Sequence, residues 1–294
     1  MRVRNLLELL SKCQTWREVT GQIFNSSTSL LHTSRQLSRA SQTLVSRIGS
    51  NDRSAELVAA LGDLMTFIVG AHSMVLAHHE SVRILSTLDH GLEAFVNLRA
   101  QLEAALTLFY LISHDDSLDE VMAKCLDYSD WIIVKMHQNL ARSRTFAPAR
   151  ALMESDSYAS TVEANYNEIV DRYATNPGRL EKLKKAVSFV PDKRAIAKQY
   201  GIEDLYAHVF AEASATVHQA DLSDRSLWRR ESRWKRQLFR IRNRKAGFWP
   251  VFCSVMIQAV ELRIFAEFLG LEGTVRLRST RLGDSFVQVD LPDN

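Results

Sequence analysis

The sequence predicts an all-α fold, mainly an antiparallel helical bundle, closed by a small C-terminal β-hairpin. Three observations carry that expectation. Glycine and proline number 11 and 5 among 294 residues, far under their usual shares of roughly 7% and 5%, so chain-breakers are too scarce for an all-β fold, a collagen or a disordered linker protein. Apolar residues recur at three- and four-residue steps over most of the chain, the period of a helix with one buried face. The polar breaks between these stretches are short, which sets consecutive helices antiparallel.

The elements follow in order. Residues 25–48 are rich in Ser and Thr, with Leu30, Leu37 and Leu44 seven apart, the mark of an amphipathic helix that packs against a partner surface. Gly49-Ser50-Asn51-Asp52 breaks it. A new helix carries Leu57, Leu61, Leu64, Ile68, Ala71 and Val75; others are expected over 92–112 and 118–140. After a polar stretch come helices at 158–173 and 179–187, separated by the turn Asn176-Pro177-Gly178. Phe189-Val190-Pro191-Asp192 is a second break, and helices resume at 195–200 and 202–218. The basic segment 225–245 leads into a helix over 248–269, with Pro250 placed early, where proline is tolerated, and Gly270 as C-terminal cap. Alternation over 274–280 and 286–291 around Gly283-Asp284 predicts the hairpin. The expected domains are a helical extension over 1–50, a bundle over 51–270 and the hairpin over 271–294.

A formal net charge of +3 with 24% charged and 46% hydrophobic residues names no partner by itself. Cys13, Cys125 and Cys253 are odd in number and far apart, which fits a reduced cytoplasm better than a disulfide framework or a zinc site. The first twenty residues are interrupted by charges, so no signal-peptide core is read there. The uncharged run Ala246 to Val260 is 15 residues, short of the roughly 20 that a spanning helix needs, and a buried helix with no integral membrane span is expected.

Chemistry is sought where the apolar period is broken. Over 92–110 the core stripe reads Leu92, Phe95, Val96, Arg99, Leu102, Glu103, Leu106 and Tyr110, so a cation and a carboxylate, four apart and able to pair, fall on the buried face. They form either a structural ion pair that cross-links helices or the lining of a wet cleft. On the 202–218 helix, Tyr206, Phe210, Ser214 and His218 share a ridge. A serine hydrolase is not supported, because no G-x-S-x-G elbow exists. His218 is read either as a hydrogen-bonded helix-end histidine or as a proton carrier.

Asn97-Leu-Arg99-Ala-Gln-Leu-Glu103 with the apolar run after it, together with Ser214-Ala-Thr-Val-His218, resembles the bacterial domain-of-unknown-function family 5677 over roughly residues 60–270. The resemblance implies an all-helical fold carrying an R-x-x-x-E helix and a later S-x-x-x-H helix, and it transfers no established activity. Arg83 to His90, with six residues between, is similar to the arginine and histidine of HEPN ribonucleases of toxin and antiviral systems. That likeness implies a cation facing a phosphate and an imidazole that moves a ribose proton.

Between 225 and 245 stand Arg225, Arg229, Arg230, Arg233, Lys235, Arg236, Arg240, Arg242, Arg244 and Lys245 against one acid, Glu231, with Trp228, Trp234 and Phe239 interleaved. Cations with aromatics suit a phosphate backbone and stacked bases. A solvated helix face over a Leu227, Trp234, Leu238, Ile241 stripe and an anionic membrane contact are the other readings. His72, His78 and His79 lack the H-E-x-x-H spacing, because position 83 is arginine; they are expected at the surface or half buried, with no metal and no cofactor. The expected function is that of a nucleic-acid-directed bacterial protein, RNA before DNA, cleaving without metal in a defence or toxin-like system. His218 would move the proton, Arg99 face the phosphate and Glu103 orient Arg99. The alternative is a non-catalytic helical scaffold that self-associates, or docks a partner, through its N-terminal helices.

Overall fold

The computed structural model describes residues 27–88, 90–143, 157–217, 233–272, 276–279 and 287–290; at 27–29, 92, 214–217, 233–248 and the last two stretches it describes the backbone alone. The fold is all-α. The described residues form two compact units, one from 27–114 and from 192 onward, the other within 115–191.

The first unit begins with α1, Ser27–Ser46. Leu30, Leu37 and Leu44 are buried as their spacing requires, and the surface they meet belongs to the same chain. Helix α2, Asp52–Leu61, passes through a single 3-10 turn into α3, Met65–Thr87. Helices α4, Gly91–Leu111, α8, Lys193–Gln199, α9, Glu203–Val217, and α10, Arg233–Leu269, complete the unit. Helices α3, α4 and α10 pack on one another, α1 lies on α3 and α10, and α9 covers the outer side of α4. From Pro250 to Leu269 nearly every position of α10 is buried, Arg263 and Glu267 being the exposed exceptions, so this helix is the axis of the bundle.

Two expectations are corrected here. Helix α10 starts at Arg233, so Pro250 is deep inside it and not in its first turn. A proline there removes one backbone donor and crowds the carbonyl four residues before it, a cost that burial of the surrounding helix offsets. The α4 stripe is also displaced. Leu98, Leu102, Ala105 and Phe109 are fully buried while Val96 is 45% exposed, which leaves Arg99 and Glu103 at the edge of the core with about a third of each side chain exposed. Because α4 is covered on several sides, its apolar pattern does not single out one face. The uncharged run Ala246–Val260 lies within α10 and is buried or half-buried from Trp249 on, as expected of a buried helix. By length and composition Asp52–Thr87 is long and apolar enough to cross a membrane; its Leu57, Leu61, Met65, Ile68, Val75 and Val82 are buried within the bundle.

Asn51 joins the break after α1 to the end of α10. Its Oδ1 accepts from the Ser54 backbone N–H at 2.7 Å, which caps α2, while its Nδ2 donates to the carbonyls of Gly270 at 2.6 Å and Leu269 at 3.3 Å. Gly270 has φ +66°, and a Cβ there would stand 3.0 Å from the Arg53 side chain, so both conformation and space call for glycine. Of the predicted hairpin, two short backbone stretches are described, Arg276–Ser279 and Val287–Asp290, paired antiparallel with Arg276 opposite Asp290. The turn at Gly283-Asp284 lies outside the described residues.

The second unit holds α5, Leu118–Ser143, α6, Ser157–Arg172, and α7, Pro177–Lys185. Buried Asp130 accepts from Tyr173 Oη and Arg172 Nη1, both at 2.8 Å. Burial, then donation to Asp130, pushes the Tyr173 hydroxyl up to about 12. Lys135 and Gln138 both donate to the Lys184 carbonyl, at 2.8 and 3.1 Å, and so satisfy the free end of α7.

Replacing Asn51 with Ala removes a helix cap and two donors to buried-end carbonyls, and about 2 kcal/mol of unfolding free energy is expected to go with it. Asn51→Asp keeps the cap and loses the donors, so urea denaturation should place it between wild type and Asn51→Ala.

Candidate functional site

The charged groups expected to interrupt the core are only half buried, whereas a set of polar side chains lies fully inside it. His72 and His79, seven residues apart on α3, are both 0% exposed. Each is gripped from two sides in the same way. His72 Nε2 meets Ser41 Oγ of α1 at 2.7 Å and its Nδ1 meets Glu261 Oε1 of α10 at 2.5 Å. His79 Nε2 meets Ser34 Oγ of α1 at 2.8 Å and its Nδ1 meets Ser254 Oγ of α10 at 2.7 Å. Ser34 and Ser41 are seven apart, as are Ser254 and Glu261. Seven residues are two helical turns, about 10.5 Å of rise, so the three helices hold two matching polar layers.

Gln101 of α4 fixes the direction of the protons in the His79 layer. Its Nε2 donates to the Ser254 carbonyl at 3.1 Å, which leaves its Oε1 to accept from Ser254 Oγ at 2.6 Å. The Ser254 hydroxyl proton is thereby committed, so His79 Nδ1 donates to Ser254 Oγ and His79 Nε2 accepts from Ser34. Burial pushes His79 down to about 4, against partial opposition from Ser34 and Glu80, so this ring is neutral at pH 7. At the rim Glu80 accepts from Ser38 and from Arg83. Burial alone would raise that carboxyl, but these two partners hold it below its ordinary value.

In the His72 layer the carboxylate of Glu261 also accepts from Gln258 Nε2 at 2.9 Å, and the imidazole stacks on Phe265 at 4.2 Å. A hydroxyl, an imidazole and a carboxylate in line are the groups that activate a serine nucleophile. Here Ser41, His72 and Glu261 are all solvent-excluded, so no substrate reaches the hydroxyl and the array serves to lock three helices together. No group of three metal-binding side chains occurs among the described residues.

The expectation of surface or half-buried positions for His72 and His79 is thereby corrected. Two signals in the chain point the other way: the two histidines continue the buried stripe Leu61, Met65, Ile68, Val75 and Val82, and Ser34, Ser38 and Ser41 lie between the buried leucines of α1.

The residues expected to carry chemistry lie elsewhere in this unit. Arg99 Nε donates to Glu103 Oε1 at 3.1 Å, and the guanidinium covers the ring of Phe210 of α9, 4.6 Å from its centroid. Lys193, at the start of α8, reaches the other Glu103 oxygen at 3.1 Å. Tyr206 stands beside Phe210 at 4.4 Å, its hydroxyl raised first by burial and then by Glu103. Helix α9 runs antiparallel to α4, since Tyr200 just before it donates to the Phe109 carbonyl while Phe210 meets Arg99. Phe210, with Tyr206 beside it, thus faces α4. Ser214 is placed as a position on α9, and His218 lies outside the described residues. Arg225, Arg229 and Arg230 also lie outside them, whereas Arg233, Trp234, Lys235, Arg236 and Arg240 are positions along the first turns of α10. Arg83 pairs with Glu80, and His90 precedes α4 with Glu93 3.7 Å away.

Removing one member of the buried pair should be strongly destabilising. Glu261→Leu leaves the His72 N–H without its acceptor and is expected to cost about 3 kcal/mol or more. Adding His72→Phe, which keeps the stack on Phe265, should restore part of that loss in a urea denaturation series.

Comparison with known proteins adds one match. The model of a family described as "Family of unknown function (DUF5677)" matches residues 65–233, more than half of the chain. No curated protein and no solved structure matches. The chain belongs to this family of unknown function.

Proposed function

We propose that the protein binds nucleic acid, single-stranded RNA before DNA, through the segment 225–245. The observation that carries this is the density of ten basic residues and one acid within that segment, with Trp228, Trp234 and Phe239 among them. From Arg233 on the backbone is helical, so positions 233, 236, 240 and 244 recur at three- and four-residue steps along about 16 Å of helix. A cationic ridge tracks phosphates, and aromatics stack on unpaired bases, which RNA loops present.

Cleavage is the second reading. It is favoured by the antiparallel course of α9 on α4, which seats Arg99 on Phe210 one turn before Ser214. In that reading His218 moves a proton of the ribose hydroxyl, Arg99 faces the phosphate, Glu103 orients Arg99 and Ser214 lines the same ridge, with no metal. A cytoplasmic defence or toxin-like setting belongs to this proposal. The scaffold alternative needs a face of α1 other than its leucine stripe, which the bundle already occupies.

Fluorescence anisotropy with a single-stranded RNA tests the binding. Arg229, Arg230, Arg233 and Arg236 each neutralise one phosphate in this reading, and replacing all four with Gln should make the salt dependence shallower by a slope of about 3. Wild-type affinity should then fall ~50-fold further than that of the quadruple variant between 50 and 200 mM salt. No binding at 50 mM salt overturns the proposal. If the RNA is cut, His218→Ala is expected to abolish cutting with Tm unchanged.

A further inference from the structure

The two histidine layers match in geometry and differ in charge. His72 rests on a carboxylate, Glu261 at 2.5 Å, while the direct partners of His79 among the described residues are hydroxyls and a carbonyl. A proton added to His79 would turn Nε2 from acceptor to donor toward the Ser34 hydroxyl and carbonyl, which can accept it but are neutral and give the cation no counter-ion in contact.

We propose that α1 is an acid-released latch: protonation of His79 frees its N-terminal half, about Leu30 to Ser38, while the Ser41, His72 and Glu261 layer keeps its C-terminal half on the bundle. The charges around His79 support this. On α3 itself Glu80 favours the cation, but Ser38 and Arg83 already engage that carboxylate, and Arg83 opposes the cation. From α10 the ring meets the neutral Ser254, next to Cys253, whose thiol burial keeps protonated. From α4 comes the amide of Gln101, through Ser254. From α1 come Ser34 and, beside Glu80, Ser38. Glu261 belongs to the other layer, about two turns away. The neutral ring is therefore the form the closed site holds, and lifting α1 is the movement that gives Nε2 to water.

The expected size follows from the proton uptake of the two forms. His79 is held near 4 in the closed bundle against an ordinary 6.5. Between pH 7 and pH 5 the open form is then favoured by up to about 20-fold, because it binds the proton that the closed form refuses.

Hydrogen exchange of the full chain, read by mass spectrometry and corrected for the intrinsic pH dependence of exchange, tests the latch. Peptides covering 30–38 should lose about 20-fold in protection between pH 7 and pH 5, while peptides from α4 and from residues 41–46 keep theirs. Unchanged protection over 30–38 overturns the proposal, and so does an equal loss in α4, which would mean that acid acts on the whole bundle. His79→Gln, which keeps a polar group but cannot titrate there, should abolish the pH difference, and a persisting 20-fold change in that variant also overturns it. The wild-type comparison decides the matter even if the variant fails to fold.

Discussion

Two buried imidazoles set the register of three helices at once. An apolar seam between α1, α3 and α10 would tolerate a slide of one heptad, because leucine replaces leucine at Leu30, Leu37 and Leu44. The polar layers do not tolerate it. If α1 moved by seven residues one way, Ile48 would face His72 and strand a buried ring nitrogen at a cost of about 1–3 kcal/mol; moved the other way, Ser27 and Ser34 would leave each ring a serine, but Leu31 would stand where Ser38 meets Glu80. The α10 side is stricter, since Ser254 and Glu261 differ in kind and cannot exchange places. Polar groups in an apolar interface thus select one alignment, as a single polar residue does in a coiled coil.

That core contrasts with the Arg99, Glu103 and Lys193 cluster, whose members are a fifth to a third exposed. Ion pairs with such access to water contribute roughly 0–1 kcal/mol each, and the stack of Arg99 on Phe210 adds an increment of similar size. The fold therefore tolerates loss of this cluster, whereas it does not tolerate loss of a buried layer. The inequality separates the cluster's two readings: a strictly structural lock would be placed where it contributes more, so a large functional effect at Arg99 with little effect on stability would mark a site.

Legibility in the sequence follows the same division. The seven-residue leucine spacing of α1 and the breaks at Gly49 and at Asn176-Pro177-Gly178 mark helix boundaries within a few residues of those observed, because turn chemistry and apolar period are local properties. Pro250 misleads because only packing, invisible in a local window, keeps a helix continuous through proline. The α4 face misleads for a related reason: a helix covered by α3, α9 and α10 has apolar residues nearly all round. His72 and His79 pass for surface groups because a histidine looks polar in a sequence. Their burial depends on hydroxyls and a carboxylate from α1 and α10, as far as 189 positions away for His72 and Glu261.

Those distant partners bear on how the family is delimited. The matched region, 65–233, contains α3, α4 and α9, hence His72, His79 and Gln101. It does not contain Ser34, Ser41, Ser254 or Glu261. Cut at those limits, the chain would expose two imidazoles together with the apolar stripe of α3, which α1 and α10 now cover. The matched segment of this protein is therefore not its folding unit. The first compact unit closes only when the helices before and after the match bring their serines and their carboxylate to the same two rings.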